Sequence, residues 1–165
     1  MDDNETPAAP ESKESRPKWD PATDPDGYTS DDVAPKDFML DAVLNFVHGM
    51  KDEDRGSFGL TVTLGGQVLS GRAISRTEWT EGVAAQYEAS NGTKHLREVY
   101  DQVNATVTTR YEERRAADLP PRARRFLHMS DVQVDLGGGN FAVLPFWRGA
   151  LKDVTGWTLG EIKAV

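Results

Sequence analysis

The sequence predicts an α+β domain built on a small, strongly bent antiparallel sheet or barrel of about five strands. Three observations support this class. A helical pattern comes first, a two-strand pattern follows this helix, and a helical insertion separates these two strands from the later ones. The domain is predicted over residues 35–165, with a helix at 36–49, a β-hairpin at 58–75, a helical segment at 78–117 and strands at 126–163.

The first helix and the hairpin follow from the periodicity of the apolar residues. The helix carries one apolar stripe, with residues at i, i+3, i+4 and i+7: Leu40, Val43, Leu44 and Val47. From Phe58 to Leu64 apolar residues alternate with glycine and threonine, which indicates a strand with one buried face. Gly65-Gly66 suits a two-residue turn, and Gly71 in the return strand indicates a bend or the close approach of another backbone.

The helical segment divides into a short and a long helix. Ser75 and Glu78 have capping-box spacing at its start, and Asn91-Gly92 ends the short helix. The long helix is expected from about 93 to 117, and Pro120-Pro121 follows as a stop. Its apolar stripe comprises Leu96, Val99, Val103, Val107 and Tyr111.

The C-terminal third is expected to be strand. Val132, Val134 and Leu136 alternate with polar residues, and Gly137–Gly139 forms a flexible turn. Two apolar runs then flank a turn at Lys152 to Gly156, which predicts a bent C-terminal hairpin.

The negative charge of the chain is concentrated at its start. Residues 1–35 hold ten acidic and three basic residues of a chain whose net charge is -8, and six of its nine prolines. We therefore expect residues 1–34 to be a disordered acidic, Pro-rich tail. Trp19 and Tyr28 interrupt its polarity, and they either dock on a partner or pin the tail to its own domain.

Composition excludes several classes of protein. The 165-residue chain has no cysteine, which excludes disulfides and thiolate metal sites and is typical of a cytoplasmic protein. It has no apolar run near the roughly 20 residues that span a bilayer. The nearly neutral domain disfavours nucleic acid, which requires a basic surface. Scattered histidines and the lack of a nucleophile motif predict no catalytic set, metal or cofactor, hence no enzyme.

The remaining anomalies concern arginines and aromatic residues. The arginine cluster has three interpretations. It is an anion or nucleic-acid patch, a partner for the acidic tail of the same or a neighbouring molecule, or a solvated helix end. Pairing with the tail is favoured. Phe146, Trp147 and Trp157 belong either to the core or to an interface. The arginine cluster comprises Arg110, Arg114, Arg115, Arg122, Arg124 and Arg125. The expected interaction residues are Phe146, Trp147, Arg148, Trp157, Arg114, Arg115, Trp19 and Tyr28.

Three segments together resemble one known family. They are a helix and hairpin over 37–75, a strand over 126–134, and a Phe146-Trp147-Arg148-Gly149 block before a Gly-x-x-Leu-Gly ending at Gly156 to Gly160. This arrangement is similar to that of the gas vesicle accessory protein GvpU and its relatives. The likeness covers residues 37–79 and 126–163 and leaves out the acidic tail and most of the helical middle.

The resemblance implies a non-enzymatic accessory role in gas vesicle formation, arrangement or clustering in the cytoplasm of a prokaryote. Its implied partners are gas vesicle shell or accessory proteins and further copies of the chain. The family has no catalytic residues to transfer. The alternative is a nucleic-acid-binding small barrel of the Sm-like type, suggested by the leading helix and the bent hairpin; the acidic charge counts against it.

Overall fold

The computed structural model describes residues 18–91 and 94–162. Its helices are α1 (Ser30–Val33), α2 (Phe38–His48), α3 (Arg76–Asn91) and α4 (His95–Ala116), and short 3₁₀ turns lie at Pro21–Thr23 and Leu151–Asp153. Its strands are β1 (Phe58–Leu64), β2 (Gln67–Ile74), β3 (Phe126–Gly137), β4 (Asn140–Ala150) and β5 (Val154–Leu159). None of these helices combines the length and apolar character that crossing a membrane requires.

The strands form one five-stranded sheet in the order β4-β3-β2-β1-β5, and every neighbouring pair is antiparallel. The predicted α+β class, with the helical insertion between the second and third strands, is confirmed. Of the two predicted forms, the sheet is correct and the closed barrel is not, because no ladder joins β4 to β5 within the described residues.

The predicted C-terminal hairpin is wrong. β4 and β5 lie at opposite edges of the sheet, and β5 pairs with β1. The connector Leu151–Asp153 allows at most about 14 Å between Ala150 and Val154. In a flat sheet the two edges alone would stand about 19 Å apart. The sheet is therefore strongly curled, as the sequence predicted.

One face of the curled sheet packs beneath α2. Leu40 and Leu44 of α2 are at most 1% exposed, and they join a cluster of strand residues. Asp37 caps α2 through the backbone N–H of Leu40 (3.0 Å) and accepts a hydrogen bond from the indole of Trp157 (2.8 Å). The strand residues of the core are Leu60, Val62, Leu69, Ala73, Leu127, Met129, Val132 and Val134.

A β-bulge in β3 keeps the core residues on one face. Asp131 has a φ of 51°, and the pairing with β2 shifts between Ser70 and Arg72. The extra residue lets Met129 and Val132 both face the core, although simple alternation would place them on opposite sides. Gly71 lies opposite the bulge, where a Cβ atom would stand 2.8 Å from the backbone oxygen of Ser130. The close approach that the sequence indicated at Gly71 is thus confirmed.

The opposite face of the sheet is covered by α3 and by the C-terminal segment. Trp79 of α3 lies 5.3 Å from His128, measured between ring centroids, and the ring of Phe146 packs directly on Gly82. Farther along, the hydroxyl of Thr61 donates to the carbonyl of Gly160 (2.9 Å). The two faces are therefore covered by elements that lie far apart in the sequence.

Substituting Gly71 with Ala should destabilise the fold by about 1–3 kcal/mol, because the new methyl group meets backbone that cannot rotate away. Urea unfolding measures this loss. Gly156→Ala is the matched strand control: its Cβ would meet only the Thr63 hydroxyl, at 4.0 Å, so the expected change is within about 0.5 kcal/mol. Equal losses in both variants would contradict the role assigned to the bulge.

Candidate functional site

Residues 18–34, here called the strap, lie against the end of α4. The expected disordered tail covered residues 1–34; residues 1–17 lie outside the described part, whereas the strap has defined contacts. The carboxylate of Asp24 pairs with the guanidinium of Arg114 at 2.6 Å, and these side chains are 0% and 4% exposed. The indole of Trp19 donates to Asp24 (2.9 Å). The folded part of the chain therefore begins before the expected boundary at residue 35.

Further charged contacts extend the strap along the arginine cluster. Asp26 pairs with Arg114 (2.6 Å) and with Arg110 (3.1 Å). Asp32 pairs with Arg122 at 2.8 Å. Hydrogen bonding to Arg114 lowers the pKa of Asp24, and hydrogen bonding to Asp24 raises the pKa of Arg114. Pairing with the acidic segment, favoured from the sequence, thus holds within one molecule for three arginines.

Tyr28 adds an aromatic contact to the strap. Its ring centroid lies 4.1 Å from the Arg114 guanidinium carbon and 5.3 Å from that of Arg122. Such cation–π contacts reinforce the neighbouring ion pairs. Of these two aromatic residues, Tyr28 contacts arginines of its own domain, whereas Trp19 donates to Asp24 within the strap, and Asp24 in turn pairs with Arg114.

A second, buried ionic cluster joins the end of α2 to the start of β3. The side chains of Arg124 and His128 are 7% and 6% exposed, and both face the carboxylate of Asp52. Burial raises the pKa of Asp52, but contacts with His128 and Arg124 outweigh it and lower the pKa to about 2. Burial lowers the pKa of His128 despite this carboxylate. The cluster fixes the loop after α2 against the sheet.

The aromatic residues that the sequence selected lie within the domain. Trp147 and Trp157 pack against the core cluster, and Phe146 packs on α3. Arg148 is exposed, and its guanidinium carbon lies 3.5 Å from the ring centroid of Phe126. Arg115 is also exposed and borders a small hollow beside Gly49. Among the C-terminal residues predicted to interact, Arg148 is thus the exposed one, and the aromatic residues are half-buried.

A larger apolar surface was missed from the sequence. The outer end of the β3–β4 hairpin, here called the tip, exposes Leu136 (60%), Phe141 (45%), Val143 (67%) and Leu144 (37%). The run Phe141 to Leu144 is apolar at every position, so both faces of β4 are apolar there. A sheet end that no helix covers cannot bury both of its faces. The apolar run was therefore the sequence pattern that could have indicated an exposed apolar surface.

An open cavity of about 980 Å³ lies between α4, the first turns of α3 and the chain before β3. Its lining includes the arginines that contact the strap, together with Arg76 and Arg148. The valines of α4 and the rings of Trp79 and Phe126 also line it. In the described parts of the chain, histidine and carboxylate side chains form no group of three suited to a metal ion. Asp41 and Asp52 also line the cavity, so it holds more cations than carboxylates and is partly apolar.

The fold and these surfaces define a small α+β domain that offers an apolar tip, an arginine-lined cavity and an acidic strap. Residues 41–162 match the family model described as "Gas vesicle protein GvpU-like". Because this match covers most of the chain, the protein belongs to the GvpU-like family of gas vesicle proteins, as the sequence resemblance indicated. No curated protein and no solved structure matches the chain. The strap precedes the matched region.

Substituting Asp24 with Asn should release the strap, because Arg114 then loses its buried carboxylate partner. Amide hydrogens in residues 18–34 should exchange at least about tenfold faster. Hydrogen exchange with mass spectrometry measures the effect. The control is Asp31→Asn, whose carboxylate is 86% exposed and pairs at the surface with Lys36. Similar exchange in both variants would show that the Asp24–Arg114 pair does not hold the strap.

The free energy of unfolding should fall as the pH is lowered from 7.5 to 5.5. Burial lowers the pKa of His128 and of His48 in the folded chain. Since histidine in the unfolded chain has a pKa of about 6.5, the unfolded state binds more protons below that pH. Each histidine should contribute a loss of up to about 1.4 kcal/mol per pH unit between its folded and unfolded pKa values.

Urea unfolding at several pH values tests this dependence. The His128→Gln variant should lose part of the pH dependence, whereas His95→Gln should keep all of it, because the side chain of His95 is 84% exposed. An unchanged slope in His128→Gln would contradict the assignment. The slope, and not the absolute stability, is compared, so a general destabilisation by the substitution does not affect the result.

Proposed function

We propose that this protein is a non-enzymatic accessory protein of gas vesicles that acts by protein–protein interaction. The observation that carries the proposal is the GvpU-like match over residues 41–162. Among the described residues, the exposed apolar tip and the arginine-lined cavity are contact surfaces that support it. The protein would therefore act in the cytoplasm at the gas vesicle, by binding shell or accessory proteins.

The tip is the surface we assign to this interaction. Its four apolar side chains are 37–67% exposed at one end of the molecule. Exposed apolar patches on a folded domain are typical of protein interaction sites. Phe146, Trp147 and Trp157 support the tip indirectly, because they fix the curled sheet from which the hairpin extends.

Self-association is the second part of the proposal. β4 is an edge strand of eleven residues, and its outer edge lacks a neighbouring strand in the described sheet. Such an edge offers unpaired backbone groups to which a strand of a second copy can add. Pro145 interrupts this edge, so pairing between copies would use the half of β4 that includes the tip.

The Sm-like alternative rests on the leading helix and the curled sheet, which both proposals share. Charge separates them, because nucleic-acid binding requires free cations. The strap already pairs Arg110, Arg114 and Arg122 with aspartates. We therefore place nucleic-acid binding second.

Flotation of purified gas vesicles by centrifugation tests the proposal. The wild-type protein should float with the vesicles, and the double variant Phe141→Ser, Val143→Ser should lose most of this binding. The control is Phe46→Ser, which removes a 91% exposed aromatic side chain that belongs to α2 and not to the tip. Circular dichroism verifies that each variant is folded.

Two results would contradict the proposal. Wild-type protein that remains entirely below the floating layer would exclude the vesicle shell as the partner. Co-flotation unaffected by the double variant, or reduced equally by Phe46→Ser, would exclude the tip as the binding surface.

A further inference from the structure

The inner face of α4 borders open space where a core would be expected. The sequence predicted an apolar stripe on this helix, and in the structure Val99, Val103 and Val107 of that stripe are 40–47% exposed and line the cavity. The helix packs chiefly on α3 and stands away from the sheet. From Val99 to Tyr111 the stripe extends about 18 Å along the helix.

The cavity also contains cations that lack carboxylate partners. Within residues 18–91 and 94–162, Arg76, Arg125 and Arg148 form no ion pair, although the other arginines of the cavity do. In Arg76, Nη2 donates to the carbonyl of Lys51 (3.0 Å), while Nε and Nη1 are buried without a hydrogen-bond partner. Arg76 therefore has two donor nitrogens, Nε and Nη1, left for an anion.

Arg148 lies near Trp79, which is also a helical neighbour of Arg76. Trp79 lies one turn after Arg76 on α3, so the two side chains share a face of the helix. The guanidinium carbon of Arg148 lies 5.9 Å from the Trp79 ring centroid. The indole Nε1 of Trp79 is buried and has no acceptor among the described residues. This end of the cavity thus gathers three sets of donors beside apolar rings.

We propose that the cavity binds a small amphipathic carboxylate, with its head on Arg76 and Arg148 and its chain along the valines of α4. Guanidinium groups bind carboxylates in a planar, two-bond geometry, and the apolar wall removes a hydrocarbon chain from water. The volume of about 980 Å³ matches a site for a small molecule. This site is separate from the tip and does not depend on the proposed function.

Residues 1–17 are the rival occupant, because they carry five acidic side chains. However, they include no valine, isoleucine, leucine or aromatic residue. They would therefore leave the valine wall of α4 unfilled. Complementarity to both the cations and the apolar wall favours an amphipathic ligand over this segment.

Calorimetric titration of the full chain with decanoate tests the site, with decanol and hexanoate as probes of the head and the chain. Decanoate should bind one per chain, and each of the other two probes at least tenfold more weakly. Arg76→Gln and Arg148→Gln should each weaken decanoate binding about tenfold. Val103→Asp, a change on the half-exposed wall of α4, should abolish it. Arg115→Gln is the control and should bind like the wild type.

Three outcomes would overturn the proposal. The first is the absence of saturable decanoate binding. The second is wild-type affinity in the double variant Arg76→Gln, Arg148→Gln, which would place the ligand elsewhere. The third is displacement of decanoate, one for one, by a synthetic peptide of residues 1–17, which would make the chain's own segment the occupant.

Discussion

The connector Leu151–Asp153 constrains the whole sheet, because it joins two strands that lie at opposite edges. Only a strongly curled sheet brings Ala150 and Val154 within reach of so short a segment. Curling encloses one face, and α2 closes that face with two leucines. The bulge at Asp131 serves the same constraint, because it adds twist where β3 bends while the core residues stay on one face.

Because one face of the sheet is enclosed, little sheet surface remains for the two helices of the insertion, α3 and α4, to cover. α3 takes the part of the outer face that includes His128 and Phe146, and α4 packs on α3 in place of the strands. Ion pairs then position the far end of α4, through Arg114 and the strap. The cavity is thus a consequence of the architecture, because the available face of the sheet accommodates α3 but not α4.

Charge is distributed so that opposite signs from distant parts of the chain meet. The aspartates of the strap neutralise three arginines near the end of α4. Asp52 does the same for Arg124 and approaches His128 within the buried cluster. In the described part of the chain, the cavity arginines that form no ion pair are Arg76, Arg125 and Arg148, while the tip is apolar. The two surfaces differ in character, which is why we propose different partners for them: a small anion at the cavity and a protein at the tip.

The sequence by itself determined the types and order of the helices and strands from α2 to β5, the curl, the close approach at Gly71 and the family, because periodicity, turns and motifs are local properties. It did not determine that β5 pairs with β1, that Trp147 and Phe146 pack on opposite faces, or that the valines of α4 line a cavity. Each of these depends on which element covers a given face or edge. That choice is made by residues far away in the chain, through packing and charge pairing, so only the tertiary structure decided it.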